Sequence, residues 1–577
     1  MSNIDQKLLY LLKLYADNNI DMNDYSPFVW GKSAISHYSV MKASERFLWK
    51  KPSLQDVLSL FVPEKIETTI LYFPLTMKLQ PCSKLFEMDS HLANKIYDMR
   101  FILPLFAHLL SPGTLVYCTQ FVQSKVLMLI FISLSSWETS VRALGFYCLA
   151  LFYQHLEIAR FKEKTIWLCF LDFLRNSIES SNPKIPNIVS LFLARVADIF
   201  SKPDHQMYRI LYPFISRKPL LDIRQVPEFY NLFNGTYVEH RIHREWLLNL
   251  LTDGLRTSLD FHICEKRYVF NSLLVHYVSC LSTNQEKVAI LRTLNSAVKI
   301  KSAACTLYEH GLLTWISNVI EESDLSDMEV LKTLCAVVES LGVNVPDHFY
   351  FTTILWKLIP KVKFLDVCTI KSLISTLLKS LSVMKNSDNS VCSKYRISGE
   401  NMNQLYEVWK SLIKKLETEK NEHMEDEISL DASKVNECLL IFAKISIFWE
   451  PILKEDIPEE LYKKQLNSLC SVLELIFQIN SYSLFHFSDL PIWLHKCAKT
   501  DTKHGLVKVL LSSERIKSLT SIIELFEKSF NQEYKYEKSQ QPKRKYWTEF
   551  LLYVKEISTN WHTISKSLIL QQIWNAI

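Results

Sequence analysis

Glycine is the scarce residue of this chain, with 9 among 577 residues, against an average usage near ~7%. No two glycines lie closer than Gly235 and Gly254. A G-x-G-x-x-G dinucleotide loop, a Walker A loop and a G-x-S-x-G nucleophile elbow each place two or more glycines within a few residues. None of these motifs is therefore present. Tight hairpins also draw on glycine for positive φ. The scarcity predicts a helical chain whose task is not nucleotide chemistry.

Close cysteine pairs are missing as well. The 13 cysteines include no C-x-x-C, and the nearest two, Cys264 and Cys280, are 16 residues apart. Structural zinc sites offer their ligands in close local pairs, so no metal site is expected. Cys148, Cys169 and Cys335 fall in apolar helical runs and read as small core residues of a reducing compartment. The opening MSNIDQKLLY lacks the basic stretch and cleavage site of a signal peptide. The most apolar run, Val126 to Leu134, is too short to span a bilayer and reads as a buried helix. These features predict a soluble intracellular protein with no membrane partner. There is no H-E-x-x-H and no carboxylate pair at metal-like spacing, so no catalytic residue and no cofactor site is assigned.

What the chain does have is apolar material, 48% of its residues, with a mild net charge of +5. The first excludes disorder over most of the length. The second permits nucleic-acid contact without predicting it. Single cores stop growing near ~250–300 residues, which leaves several domains or an extended repeat array.

One stretch displays a building unit. Ser326 followed by Glu329 reads as a capping box. Met328, Leu331, Leu334, Cys335, Val338 and Leu341 then recur on one helical face. Gly342 is expected to supply a left-handed stop, and Pro346 to restart a helix in its first turn. The second helix ends before Pro360, and Asp366 can cap a third. Two helices with their turns thus take roughly 35–40 residues, the size of a HEAT or armadillo unit. The same grammar predicts helices over 98–110, 123–136, 138–159, 163–178, 187–200, 204–216, 239–258 and 262–280. Prolines 183, 186, 203, 213, 219 and 227 fall mostly between them. The predicted architecture is all-α, an extended HEAT/armadillo-like solenoid with degenerate repeats, over 1–383. Residues 384–400 read as a polar linker, and 401–577 as a further helical region. Within that region lie an acidic stretch at 417–427 and a basic polar segment at 531–545.

Three groups of residues invite a functional reading. His240 and His243 share a helical face, but no third ligand is placed near them and Arg241 and Arg244 would repel a cation. They read as a polar first turn. Arg241, Arg244 and Arg256 with Trp246 offer phosphate-seeking cations and an aromatic face, a candidate RNA or partner surface. The competing reading puts Trp246 in the core with Leu247, Leu250 and Leu251, and pairs the arginines with Glu239 and Glu245. Lys543, Arg544 and Lys545 head a short basic run that fits a nuclear-localisation element or a phosphate contact, and equally a solvated surface.

A series of short blocks carries a resemblance. It begins with Asn18-Asn19-Ile20 and Pro27-Phe28-Val29-Trp30-Gly31. It continues through Leu48-Trp49, Pro52-Ser53 and Ile70-Leu71-Tyr72-Phe73-Pro74, then Tyr97-Asp98 with Phe101-Ile102-Leu103-Pro104-Leu105-Phe106. Phe152-Tyr153-Gln154-His155-Leu156-Glu157 and Arg160-Phe161 follow, then Lys202-Pro203-Asp204-His205-Gln206-Met207-Tyr208. Val226-Pro227-Glu228-Phe229-Tyr230, Glu239-His240, Glu245-Trp246 and Leu312-Leu313-Thr314-Trp315-Ile316 complete it. In their order over about 18–316, these blocks resemble the C-terminal region of the nucleolar pre-ribosomal-associated protein 1 family. Members of that family are much longer, so the resemblance implies a fragment or a shortened relative.

The resemblance implies a non-enzymatic scaffold in the nucleolus, acting in early assembly of the large ribosomal subunit and in rRNA processing. The partners it implies are the pre-ribosomal particle, precursor rRNA, small nucleolar RNAs and other assembly factors including a DEAD-box RNA helicase. Two other classes stay open on composition: a peptide- or cargo-binding nuclear adaptor solenoid, and an enzyme whose active site no motif marks.

Overall fold

The computed structural model describes residues 3–20, 54–79, 95–114, 116–235, 240–322, 327–345, 347–385, 397–420, 425–449, 458–477 and 490–500. Among these residues every extended element is a helix and none is a strand, as the glycine scarcity predicts. The chain divides into two compact units, Met1–Ile300 and Lys301–Ile577.

The first unit is organised around its most apolar sequence. VLMLIFIS forms the helix Val126–Ser133, and all of its residues are buried. A helix that is apolar on every side must be covered on every side. Here Pro63–Leu71, Thr139–Ile158 and Asn187–Phe200 cover it. Lys125 starts the helix from the left-handed region, at φ 62°. Its ammonium sits 2.8 Å from Glu67 and 3.3 Å from Asp198, tying three helices together.

Five helices, including this one, stack into a first row. Pro63–Leu71, Val126–Ser133, Asn187–Phe200, His240–Gly254 and Asn284–Val298 each pack on the next. A second row, Met99–Leu109, Thr139–Ile158, Lys164–Arg175 and Tyr208–Arg217, is linked in the same way and joins the first through Thr139–Ile158 and Tyr208–Arg217. Rings fill the space between neighbours, as where Phe121 lies 4.9 Å from Phe152 and 6.0 Å from Phe106. Each fully buried phenylalanine contributes roughly 1.5–3 kcal/mol of transfer free energy.

The repeat length differs between units. In the first unit, helices of the first row begin at 63, 126, 187, 240 and 284, so the period shortens from 63 residues to 44. In the second unit, Leu312–Glu322 packs on His348–Leu358, and Met328–Gly342 on Val367–Lys385. The offsets there are 36 and 39 residues, matching the 35–40 residue unit read from the sequence. Helices on either side of 384–400 share one core: Val367–Lys385 packs on Glu425–Ser446. Lys371 pairs with Glu437 across them, and Ser411 Oγ donates to the Lys363 carbonyl at 2.9 Å. Val367–Lys385 has the length and apolarity of a membrane span, and its apolar face is buried among these neighbours. Of the acidic stretch, 417–420 closes Gly399–Lys420 and 425–427 opens Glu425–Ser446.

Several local expectations are corrected. The cap of Met328–Gly342 is Asp327, whose carboxylate accepts from the N–H groups of Glu329 and Val330; Ser326 and Pro346 lie outside the described residues. Gly342 is the last helical residue and not a left-handed stop. It is small because a Cβ there would meet Phe351 and Thr376 at 2.8 Å. The helix expected over 262–280 is two helices, Ser258–Glu265 and Val269–Val278, because Tyr268 turns left-handed at φ 51° between them. Pro213 lies within Tyr208–Arg217 rather than between helices, as Pro104 lies within Met99–Leu109. Cys148 and Cys335 are buried, whereas Cys169 is exposed on its helix. Burial pushes the Cys148 and Cys335 thiols up to about 12. Asp366 does cap its helix, accepting from Thr369 N–H at 3.2 Å.

Candidate nucleic-acid interface

The three arginines singled out in the sequence part company in the structure. Arg241 is exposed in the first turn of His240–Gly254. Arg244, one turn on, is buried with 9% exposure. Arg256 lies past the far end of the helix, roughly 20 Å from Arg241 at 1.5 Å rise per residue. They do not form one surface.

Arg244 belongs to a buried polar knot. Its Nε donates to the Phe233 carbonyl at 3.0 Å and its Nη1 to the Glu286 carboxylate. The ring of His276 lies beside both, with Nε2 3.6 Å from Glu286 and 3.1 Å from Arg244. Glu286 also closes a capping box with Thr283, whose N–H reaches it at 3.0 Å. Burial opposes charge on Glu286, but the Thr283 bond and Arg244 outweigh it and hold the carboxyl below the usual range. Burial, then the charge of Arg244, pushes His276 below its ordinary value. The partner of Arg244 is thus Glu286, not Glu245; Glu239 is outside the described residues. His243 is buried, and no group of three metal-ligating side chains exists among the described residues.

Trp246 is half-buried, edge-on to Phe192 at 6.1 Å, while Leu247, Leu250 and Leu251 are fully buried. The tryptophan lines a cleft of about 260 Å³ with Glu67, Arg195, Asp198, His205 and Asp253. Each carboxylate there is tied to a cation: Glu67 and Asp198 to Lys125, and Asp253 to Arg195.

Arg256 marks a second polar knot, which no sequence motif announces. Four inter-helix connections of the first unit converge there. Arg256 Nη1 donates to the Phe73 carbonyl at 2.8 Å. The backbone N–H of Trp137 donates to the Leu75 carbonyl at 2.7 Å. Arg142, 8% exposed, reaches the carbonyls of Ser136 at 2.8 Å, Trp137 at 3.0 Å and Asn182 at 3.4 Å. Asp260 is the fully buried carboxylate of the group. It closes the capping box of its own helix by accepting from Thr257 N–H at 2.9 Å, and accepts further from Thr257 Oγ1 at 2.6 Å and Ile188 N–H at 3.3 Å. Asn187 Nδ2 donates to the Gly254 carbonyl at 2.9 Å and closes the ring of contacts.

Charge at this edge is biased. Lys184 and Arg256 lie within electrostatic reach of Asp260, and Arg142 within reach of Glu138. Lys184 places its ammonium 2.8 Å from the centroid of the Trp137 ring. Burial, with Arg142 nearby, lowers the Lys184 pKa to about 8 despite the attraction of Asp260. Burial likewise lowers Arg256 and Arg142. Trp137 itself remains 52% exposed. The signal in the sequence was faint: a tryptophan in an otherwise small, polar connection, Ser135-Ser136-Trp137-Glu138. Lys543, Arg544 and Lys545 lie outside the described residues.

Fold and site together define an all-α protein of stacked helices, with a cation-rich aromatic edge and ion-paired clefts. Residues 127–315, which hold that edge, match the family model for nucleolar pre-ribosomal-associated protein 1. The resemblance read from the sequence blocks is thus met by the family comparison. Nucleolar pre-ribosomal-associated protein 1 of Mus musculus is 32% identical over 357 residues, and that of Homo sapiens 31% over 350. Each alignment covers 60% of this chain, and the chain spans about 15% of the length of either relative. An engineered protein of known structure aligns over 80% of the chain and 99% of its own, at 11% identity and a TM-score of 0.22, too slight a likeness to bear on the fold.

Proposed function

We propose that the chain is a non-enzymatic helical scaffold of ribosome biogenesis, working in the nucleolus of the cell nucleus. It acts there in early assembly of the large (60S) subunit and in rRNA processing. The observation that carries this reading is the match of residues 127–315, together with relatives named for pre-ribosomal association. The architecture supports it, because stacked helices expose long faces on which several partners can sit at once. The partners are pre-ribosomal particles with their precursor rRNA and small nucleolar RNAs, and other assembly factors including a DEAD-box RNA helicase. Glycine scarcity supports the division of labour: this chain has no clustered-glycine phosphate loop, so a partner supplies the ATP chemistry.

Sedimentation tests this. The tagged chain is expected to travel in a gradient with large-subunit precursors and to bring precursor rRNA and small nucleolar RNAs through gentle purification. A chain that stays at the top of the gradient and recovers nuclear cargo proteins instead is an adaptor solenoid, and the proposal fails.

A further inference from the structure

We infer that the edge around Trp137 binds single-stranded RNA directly, with a base on the indole and a backbone phosphate held by Lys184 and Arg142. This rests on the pre-ribosomal reading, and adds to it a place and a mode of contact.

Three observations converge on the edge. Trp137 is a large aromatic left 52% exposed in a connection, with its backbone fixed by Leu75. Its ring therefore presents a positioned platform, and stacking on such a ring tolerates any base. Behind the ring sits the Lys184 ammonium, 2.8 Å from the centroid. Lys184 Nζ and Arg142 Nε are both buried and both lack a hydrogen-bond acceptor, although Arg142 is otherwise clamped by three carbonyls. A buried donor without an acceptor costs about 1–3 kcal/mol, so the site is incomplete as it stands. A phosphate oxygen meeting the edge draws the Lys184 ammonium out from behind the ring and becomes its acceptor, while Arg142 stays clamped beneath and contributes its charge.

The balance of charge fits RNA held at one or two phosphates. Three cations, Arg142, Lys184 and Arg256, face two carboxylates, Asp260 and Glu138. An acidic peptide would be drawn by the same cations but would gain nothing from a flat exposed indole. The aromatic and the cations together match a nucleotide, which brings a π-face and a phosphate a few ångströms apart.

The test titrates the full chain against a short fluorescein-labelled single-stranded RNA of mixed sequence, read by anisotropy at low and moderate salt. Trp137→Ala is expected to weaken binding about tenfold, within the range for a lost stacking partner, with the helical circular-dichroism spectrum retained. Trp137→Phe keeps a ring and is expected to retain most of the affinity. Lys184→Gln is expected to lower the salt slope by roughly 0.7, the share of one single-strand phosphate contact. Wild-type affinity in both Trp137→Ala and Lys184→Gln overturns the inference. So does a glutamate-rich peptide that displaces the RNA and depends equally on Trp137. A Trp137→Ala chain with unaltered RNA affinity that still recovers precursor rRNA from cells overturns this site alone. A wild-type chain that recovers no precursor overturns the pre-ribosomal reading beneath it.

Discussion

Arg244 and Glu286 form a buried ion pair across 42 residues of sequence, joining His240–Gly254 to Asn284–Val298, two neighbours in the first row. The pair is anchored at both ends, by the Phe233 carbonyl on one side and the Thr283 capping box on the other. Arg244 is thereby a structural residue of the first unit.

Removing one member leaves the other charged and buried. Arg244→Met and Glu286→Gln are each expected to destabilise the first unit by about 3–5 kcal/mol. The double variant Arg244→Met with Glu286→Gln is expected to cost less than the two single changes summed. Denaturant unfolding with a double-mutant cycle measures this, and additive losses would contradict the pairing.

Arg241 stands in contrast, exposed one turn earlier. Arg241→Glu is expected to change stability by no more than about 0.5 kcal/mol, as for most surface substitutions. Arg244→Glu places two carboxylates together and is expected to unfold the unit. Reversing Arg241, Arg244 and Arg256 together therefore reports on folding, and only Arg241→Glu isolates the exposed cation. Circular dichroism melts of the single variants separate the two effects.

His276 sets a pH dependence. Its pKa in the folded chain lies below the ordinary value, through burial and then Arg244. As pH falls past the ordinary histidine value near ~6.5, the unfolded chain takes up a proton first and the folded chain resists. Stability present above that pH is therefore lost between about pH 6.5 and the lower folded value. His276→Gln has no such proton to gain, so its melting temperature should fall less from pH 7 to pH 5 than that of the wild type. Equal falls would show that His276 does not contribute.

Gly254 ends His240–Gly254 against Ile188, where an added Cβ would lie 2.8 Å from Ile188 Cγ1 and 3.0 Å from its Cα. The backbone cannot give way as a side-chain tip can. Gly254→Ala should gain up to ~1 kcal/mol of helix propensity and lose about 1–3 kcal/mol to overpacking, for a net loss. A variant more stable than wild type in chemical denaturation would contradict the close approach.

What the sequence displayed and what it concealed follow from range. Helix positions were legible because periodicity and capping are local: 187–200 is read with both ends in place, and Asp366 caps where expected. Asp327 took the cap from its neighbour, a shift of one residue that side-chain reach decides. Tyr268 hid a helix break because nothing in its type announces a left-handed turn. The destinations of Arg244 and Arg256 were not legible at all. Nearby Glu245 looked like a partner for Arg244, whereas Glu286 and the Phe73 carbonyl arrive only when distant helices stack. The edge around Trp137, Lys184 and Arg142 was only faintly legible: Trp137 and Arg142 are close in sequence, but Lys184 comes from another connection and joins them only in the fold.

The most direct test of the account is ultraviolet crosslinking of the tagged chain in living cells, followed by sequencing of the RNA attached to it. The account predicts crosslinks in large-subunit precursor rRNA, reduced by Trp137→Ala. Crosslinked RNA with no enrichment of ribosomal precursor would contradict it.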